Sequence, residues 1–123
     1  MFSYNEAFSG FSVNDLQQAK AFYSDVLGIK VTEQKEGLDL DIGNDTHVFI
    51  YPKPNHQPAT FTILNFKVSD IEKAVDELSA KGIQFEHYTG QLQTDEKGIF
   101  KSGGPLIAWF KDPAGNFLSI IQA

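Results

Sequence analysis

Cysteine is absent from this 123-residue chain. That excludes a disulfide framework, a thiolate metal site and a cysteine nucleophile. Long apolar runs are missing as well, and no stretch approaches the ~20 residues a membrane-spanning helix needs. The opening MFSYNEAFSG has neither the basic flank nor the apolar core of an export signal. A cytoplasmic location is therefore expected. Basic residues are few and scattered, 10 against 16 acidic ones, for a net charge of −6. Nucleic-acid binding needs a basic stripe that displaces counterions, and none is present. Neither a nucleic acid nor a membrane is expected as a partner. The acid excess keeps the chain soluble, with a mild bias toward cationic small molecules as the alternative reading.

What is present points to a packed globular fold. Hydrophobic residues make up 41% of the chain and charged ones 21%, with eleven Phe, four Tyr and one Trp. That is enough apolar surface for one domain with its own core. The chain also repeats itself. Val13-Asn14-Asp15-Leu16-Gln17-Gln18-Ala19 matches Val68-Ser69-Asp70-Ile71-Glu72-Lys73-Ala74 at an offset of 55, and Leu27-Gly28-Ile29 matches Lys81-Gly82-Ile83 at an offset of 54. The shared order and near-constant offset indicate duplication.

Each copy reads as a strand, a capped helix, a glycine stop and more strands. Segments 7–13 and 61–68 carry the Phe, Val, Ile and Thr that strands favour. Asp15 and Asp70 stand where a helix N-cap belongs. Leu16, Ala19, Phe22, Tyr23, Val26 and Leu27 form one apolar stripe, and Ile71, Ala74, Val75 and Leu78 another. Gly28 and Gly82 suit left-handed helix stops. Strands are predicted at 29–35, 38–42 and 48–51 in the first copy and at 83–88, 106–111 and 117–121 in the second. Asn44-Asp45 and the stretch Asp112-Pro113-Ala114-Gly115-Asn116 read as turns. The whole of 1–123 is expected to form one domain: repeat one at about 7–52, a proline-rich linker at 52–60, and repeat two at about 61–122. Residues 89–104 read as a long polar loop, with Ile99 and Phe100 as candidates to cover a pocket or to anchor the loop.

The motif Val13-x-Asp15-Leu16-x-x-Ala19-x-x-Phe22-Tyr23-x-x-x-Leu27-Gly28, with Phe110-x-Asp112-Pro113-x-Gly115-Asn116, resembles the vicinal-oxygen-chelate superfamily. That family groups glyoxalase I, bleomycin-resistance proteins and extradiol dioxygenases. The resemblance implies an α+β fold in which two βαβββ repeats form a curved mixed sheet around a central cavity. Metal-using members hold their cation with His, Glu or Gln on the first and last strands of the repeats. The corresponding positions here are Phe8, Ile63, Ser119 and, on the last strand of the first repeat, Phe49 or Ile50. None of these coordinates a divalent cation usefully, nor do the neighbours Ser9, Thr62, Leu64, Leu118 and Ile120. His47, His56 and His87 lack short ligand spacing. No metal and no cofactor are expected.

If the family geometry holds, strand alternation supplies the lining of the cavity. The first repeat contributes Phe8, Gly10, Ser12 and Ile50. The second contributes Ile63, Asn65, Trp109, Phe117, Ser119 and Ile121. An apolar, aromatic wall with a few polar points is the usual profile of a small-ligand site. The same residues would also serve as core filling. Three functions follow from these choices. The first is a homodimer that binds a small hydrophobic or aromatic molecule without a metal. The second is a lyase, isomerase or dioxygenase of the superfamily with a relocated metal site or none, for which His87, Lys67 or Tyr88 could act as acid or base. The third is a dimeric interaction module with a filled core.

Overall fold

Asp15 and Asp70 set the start of each helix in the computed structural model, which describes all residues from 1 to 123. Asp15 accepts hydrogen bonds from the backbone N–H groups of Gln17 and Gln18 at 3.0 and 3.1 Å, and Asp70 accepts from Lys73 at 3.2 Å. Such caps contribute about 1 kcal/mol each by satisfying free helix donors. Helix α1 spans Leu16–Lys20 and α2 spans Ile71–Ala80. Gly28 and Gly82 take φ of +73° and +96°, the left-handed geometry expected of them.

One feature of the first helix is not written in its apolar spacing. Past Lys20 the chain widens into a π-helical turn, Ala21–Val26, in which the Leu27 N–H reaches the Phe22 carbonyl at 3.0 Å. Tyr23 on this turn is fully buried, 5.9 Å from the Phe11 ring and edge-on to Phe22 at 5.1 Å. An α-helical stripe and a π turn share too much of the same i, i+4 pattern to be told apart by sequence.

The chain divides into two units, Met1–Gln57 and Pro58–Ala123, with the boundary inside the proline-rich stretch. The first holds β1 (Ser9–Val13), β2 (Lys30–Gln34), β3 (Gly37–Gly43) and β4 (Thr46–Pro52), in the order β1-β4-β3-β2. The second holds β5 (Thr62–Lys67), β6 (Ile99–Phe100), β7 (Leu106–Lys111) and β8 (Phe117–Gln122), in the matching order β5-β8-β7-β6. In both units the first strand pairs parallel to the last and the remaining pairs are antiparallel. The duplication read from the sequence is thus a duplication of topology: two four-stranded mixed sheets in an α+β fold.

Register separates the two faces of each sheet. In the first unit Phe11 pairs with Ile50 and Leu38 with Ile50, while Leu40 pairs with Val48. These side chains form the helix-covered face, and Leu38, Leu40, Val48 and Ile50 are buried. Ile50 is 0% exposed and belongs to this core. Ile50, expected among the cavity residues, thus lies on the helix-covered face, and its neighbour Phe49 is on the opposite one. In the second unit Leu64, Phe66, Ala108, Phe110, Leu118 and Ile120 share the helix-covered face.

The segment after α2 also departs from expectation. Residues 83–88 form no ladder strand, and their backbone link to the sheet is the Glu86 N–H to the Trp109 carbonyl at 2.8 Å. The outer strand beside β7 is instead β6, inside the stretch expected to be a loop. Ile99 pairs with Ala108 there and is 0% exposed, so it is a core residue and not the tip of a lid. Phe100 is half-buried, with its ring 6.3 Å from that of Trp109.

Ion pairs hold this segment to α2. Lys97 Nζ lies 3.1 Å from both Glu72 and Asp76, and Lys101 Nζ lies 2.9 Å from both Glu72 and Asp95. Hydrogen bonds from Lys101 and then Lys97 hold the Glu72 carboxyl below its ordinary 4.5. A lowered folded-state value means the stabilisation is complete above about pH 4.5 and is lost as pH falls through the folded value. Glu72→Gln should therefore lower stability modestly at neutral pH and cease to matter in strong acid. Urea melts across that pH range would check this, and a pH-independent effect would refute the ionic account.

Candidate functional site

On the helix-free face of the second sheet, three strands align side chains in rows. Trp109 on β7 pairs with Ser119 on β8, which pairs with Asn65 on β5. One flanking row runs Ile107, Ile121, Lys67 and the other Lys111, Phe117, Thr62. Apolar and aromatic side chains (Ile107, Trp109, Phe117, Ile121) lie on β7 and β8, and the polar ones (Thr62, Asn65, Lys67) line the edge strand β5, with Ser119 between them. Ser119 is fully buried, and its hydroxyl donates to the Asn65 side-chain oxygen at 2.5 Å. Asn65 keeps its amide N–H groups and the second lone pair of that oxygen for a partner on the face. Tyr88 packs edge-on to Trp109 at 5.6 Å, and Lys111 Nζ sits 5.0 Å from the centre of the Phe117 ring. Burial, then the Glu86 carboxylate, raises the Tyr88 hydroxyl above its ordinary 10. Tyr88 is thus a proton donor and not a base near neutral pH.

The sequence-expected residues divide cleanly. Asn65, Trp109, Phe117, Ser119 and Ile121 share this one face. Ile63 does not join the rows, because the ladder slips between Thr62 and Leu64 and leaves it in a β-bulge. In the first unit Gly10 stands opposite Phe49 and Ser12 opposite Tyr51, again on the helix-free face. Ser12 Oγ and His56 Nδ1 lie 2.7 Å apart, which ties β1 to the proline-rich stretch. Phe8 precedes β1 and is 67% exposed. His87 is exposed, and Lys67 ends the Ile121 row.

One pair escaped the sequence reading. His47 and Asp39 face each other across the β3–β4 hairpin, with His47 Nδ1 2.8 Å from an Asp39 oxygen. The signal lay only partly in the Asn44-Asp45 turn. Both residues take positive φ, 53° and 57°, the two-residue geometry that fixes hairpin register. The turn pairs Gly43 with Thr46, and a bulge between Asp41 and Gly43 then shifts the ladder by one residue, so Asp41 lies opposite His47, Asp39 lies opposite Phe49, and His47 and Asp39 are diagonal neighbours on one face.

The metal implied by the resemblance can be tested against these side chains. Phe8, Phe49 and Ile63 offer only carbon, and the Ser119 hydroxyl is committed to Asn65. No three His, Asp or Glu side chains converge as a ligand set. The residues at these positions do not fit the group.

The fold and its repeated half-sheets define a class. A profile of the Glyoxalase/Bleomycin resistance protein/Dioxygenase superfamily matches residues 8–120, and the chain belongs to that superfamily. Among individual proteins, it is 29% identical over 126 residues to a lactoylglutathione lyase of Arabidopsis thaliana. That alignment covers 91% of this chain but 42% of the relative, so the chain spans under half the length of its curated relatives. Among solved structures, a glyoxalase family protein from Enterococcus faecalis superposes with a TM-score of 0.70 at 24% identity, covering 98% of this chain and 99% of the other. An antibiotic binding protein from a Streptomyces species superposes at 0.67 with 21% identity, covering 98% of each chain. At these identities the structural likeness establishes the fold. No helix of the chain is long and apolar enough to cross a membrane.

Proposed function

We propose that the chain binds a small hydrophobic or aromatic molecule on the helix-free face of β5, β7 and β8, without a metal and as a homodimer. The observation that carries this reading is the Trp109–Ser119–Asn65 row. It combines a flat aromatic surface, the apolar neighbours Ile107, Phe117 and Ile121 on β7 and β8, and the Asn65 amide beside Ser119, where a metal-using relative would need a ligand. A ligand with an aromatic body and a carbonyl or ether oxygen matches those groups. The fold it shares with an antibiotic binding protein supports the reading by analogy. The almost wholly exposed edge strand β2 supports a second copy, since open edges invite pairing.

Trp109 is the only tryptophan in the chain, so its fluorescence reports on this face directly. Titration with neutral aromatic ketones, beginning with 2-acetylnaphthalene, should quench it saturably. By calorimetry, Trp109→Ala should weaken binding roughly 30-fold, the equivalent of ~2 kcal/mol for a central aromatic contact. Asn65→Leu should weaken it about fivefold, the equivalent of one hydrogen bond. Absence of saturable quenching across the series would count against the reading.

The second reading is a lyase, isomerase or dioxygenase that uses a relocated metal or none. The kinship with lactoylglutathione lyases favours it. Elemental analysis of protein purified without chelators separates the two, because one Zn, Ni, Mn or Fe per chain would support a relocated metal site.

A further inference from the structure

The helix-free face of the first sheet carries a different chemistry. We propose that His47 is a metal-independent general base, positioned by Asp39, acting on a neutral or cationic aromatic compound held in the pocket beside it.

Hydrogen-bond logic sets the tautomer. The Asp39 carboxylate can only accept, so the bond at 2.8 Å requires a proton on His47 Nδ1. In the neutral ring, Nε2 is then the lone-pair nitrogen. The carboxylate fixes the ring and stabilises the imidazolium that forms when Nε2 takes up a proton. The pocket holds about 220 Å³. That is below the ~300–1,000 Å³ usual for ligand pockets and suits a compact, one- or two-ring compound. Its walls include the Phe8 and Phe49 rings together with His47, Asp39, Asp45 and Glu6, and no lysine. Aromatic faces beside carboxylates favour neutral or cationic aromatic compounds and repel anions. The His47 side chain is 46% exposed, which leaves the ring a route for proton exchange with water.

The charges around the imidazole come from several elements. Asp39 and Asp41 lie on β3, Asp45 in the hairpin turn and Glu6 ahead of β1. Lys30 on β2 stands opposite Asp41, and β1 itself contributes no charge. The Asp39 hydrogen bond, working against desolvation and aided by the charges of Asp39, Asp41 and Asp45, holds the His47 pKa above 6.5. The step is a proton transfer. Nε2 gains the proton, and the C–H electron pair stays on the substrate or moves into a bond that forms as a leaving group departs.

This inference does not rest on the Trp109 row, and either can fail while the other stands. A probe that needs only a base is 5-nitrobenzisoxazole, which is neutral, bicyclic and aromatic. Removal of its ring C–H proton sends that electron pair into a nitrile as the N–O bond breaks, releasing coloured 2-cyano-4-nitrophenolate. The full chain should catalyse this equally with or without a chelator, with a rate that rises through an ionisation above pH 6.5. H47Q should lower the rate about 100-fold. D39N should move the ionisation back toward the ordinary histidine range. Proton NMR titration of His47 should show the same shift, while circular dichroism confirms that both variants fold. A rate unchanged in H47Q, or a pH profile indifferent to D39N, would overturn the proposal. A purely structural His47–Asp39 pair would alter stability and leave no such profile.

Discussion

Gly37→Ala is expected to destabilise the chain by about 4 kcal/mol, the largest effect foreseen for a single methyl group in this fold. A Cβ at position 37 would lie 2.1 Å from the Ile50 carbonyl oxygen and 2.9 Å from Phe49 Cζ. The first obstacle is backbone, so no rotamer change relieves it. Strand β3 would have to move away from β4, opening the Leu38–Ile50 pair next to it, and both of those side chains are buried. A domain of this size is stabilised by only about 5–15 kcal/mol, so the loss takes a large share. Urea unfolding should show the midpoint fall sharply with little change in slope. A variant within 1 kcal/mol of the parent would mean that β3 and β4 approach less closely than described.

The second large effect concerns the turn between β7 and β8. Asp112→Ala should cost about 3 kcal/mol. Asp112 is buried, and one of its oxygens accepts from the backbone N–H groups of Ala114 and Asn116 at 3.0 and 2.8 Å. The other oxygen accepts from the Asn116 side chain at 3.1 Å. Asn116 in turn accepts from the Ala59 N–H at 3.1 Å, so the turn also holds the chain leading into β5. Removing the carboxylate leaves buried donors unpaired, which costs more than the bonds themselves contribute. Asp112→Asn should recover about half of the loss. Its oxygen can keep the two backbone bonds, but its amide nitrogen would face the Asn116 nitrogen, donor against donor. Equal stability of the two variants, read from thermal melts, would contradict this account.

Much of this architecture was legible because it is decided locally. Asp15, Asp70, Gly28, Gly82 and the Asp112–Asn116 turn each declare themselves within a few residues, and β7 falls on the predicted 106–111. The grouping of Trp109 and Ser119 on one face followed from alternation along β7 and β8, and Asn65 joins them on the part of β5 past its bulge. What was not legible depends on partners distant in sequence. Ile50 and Phe49 differ by one residue and therefore by a whole face, and only the pairing with Phe11 and Leu38 decides between them. The bulge at Ile63 obeys no local pattern. Residues 83–88 look more like a strand than 99–100, and Ile83 and Phe85 are buried as Ile99 is, yet it is the short β6 that pairs with β7. His47 and Asp39 are eight residues apart, and they meet only because a bulge between Asp41 and Gly43 shifts the register that the Asn44-Asp45 turn begins.

The metal positions sharpen in the same way. With Ile50 assigned to the core, the helix-free position on β4 is Phe49, which offers no better ligand. This chain keeps the superfamily scaffold, and the proposed function has it bind an aromatic small molecule through side chains and not through a cation. One measurement tests both halves: Trp109 fluorescence titrated with 2-acetylnaphthalene before and after dialysis against EDTA. The account predicts saturable quenching with the same dissociation constant in both samples. Quenching that disappears with the chelator and returns on adding a divalent metal would contradict it.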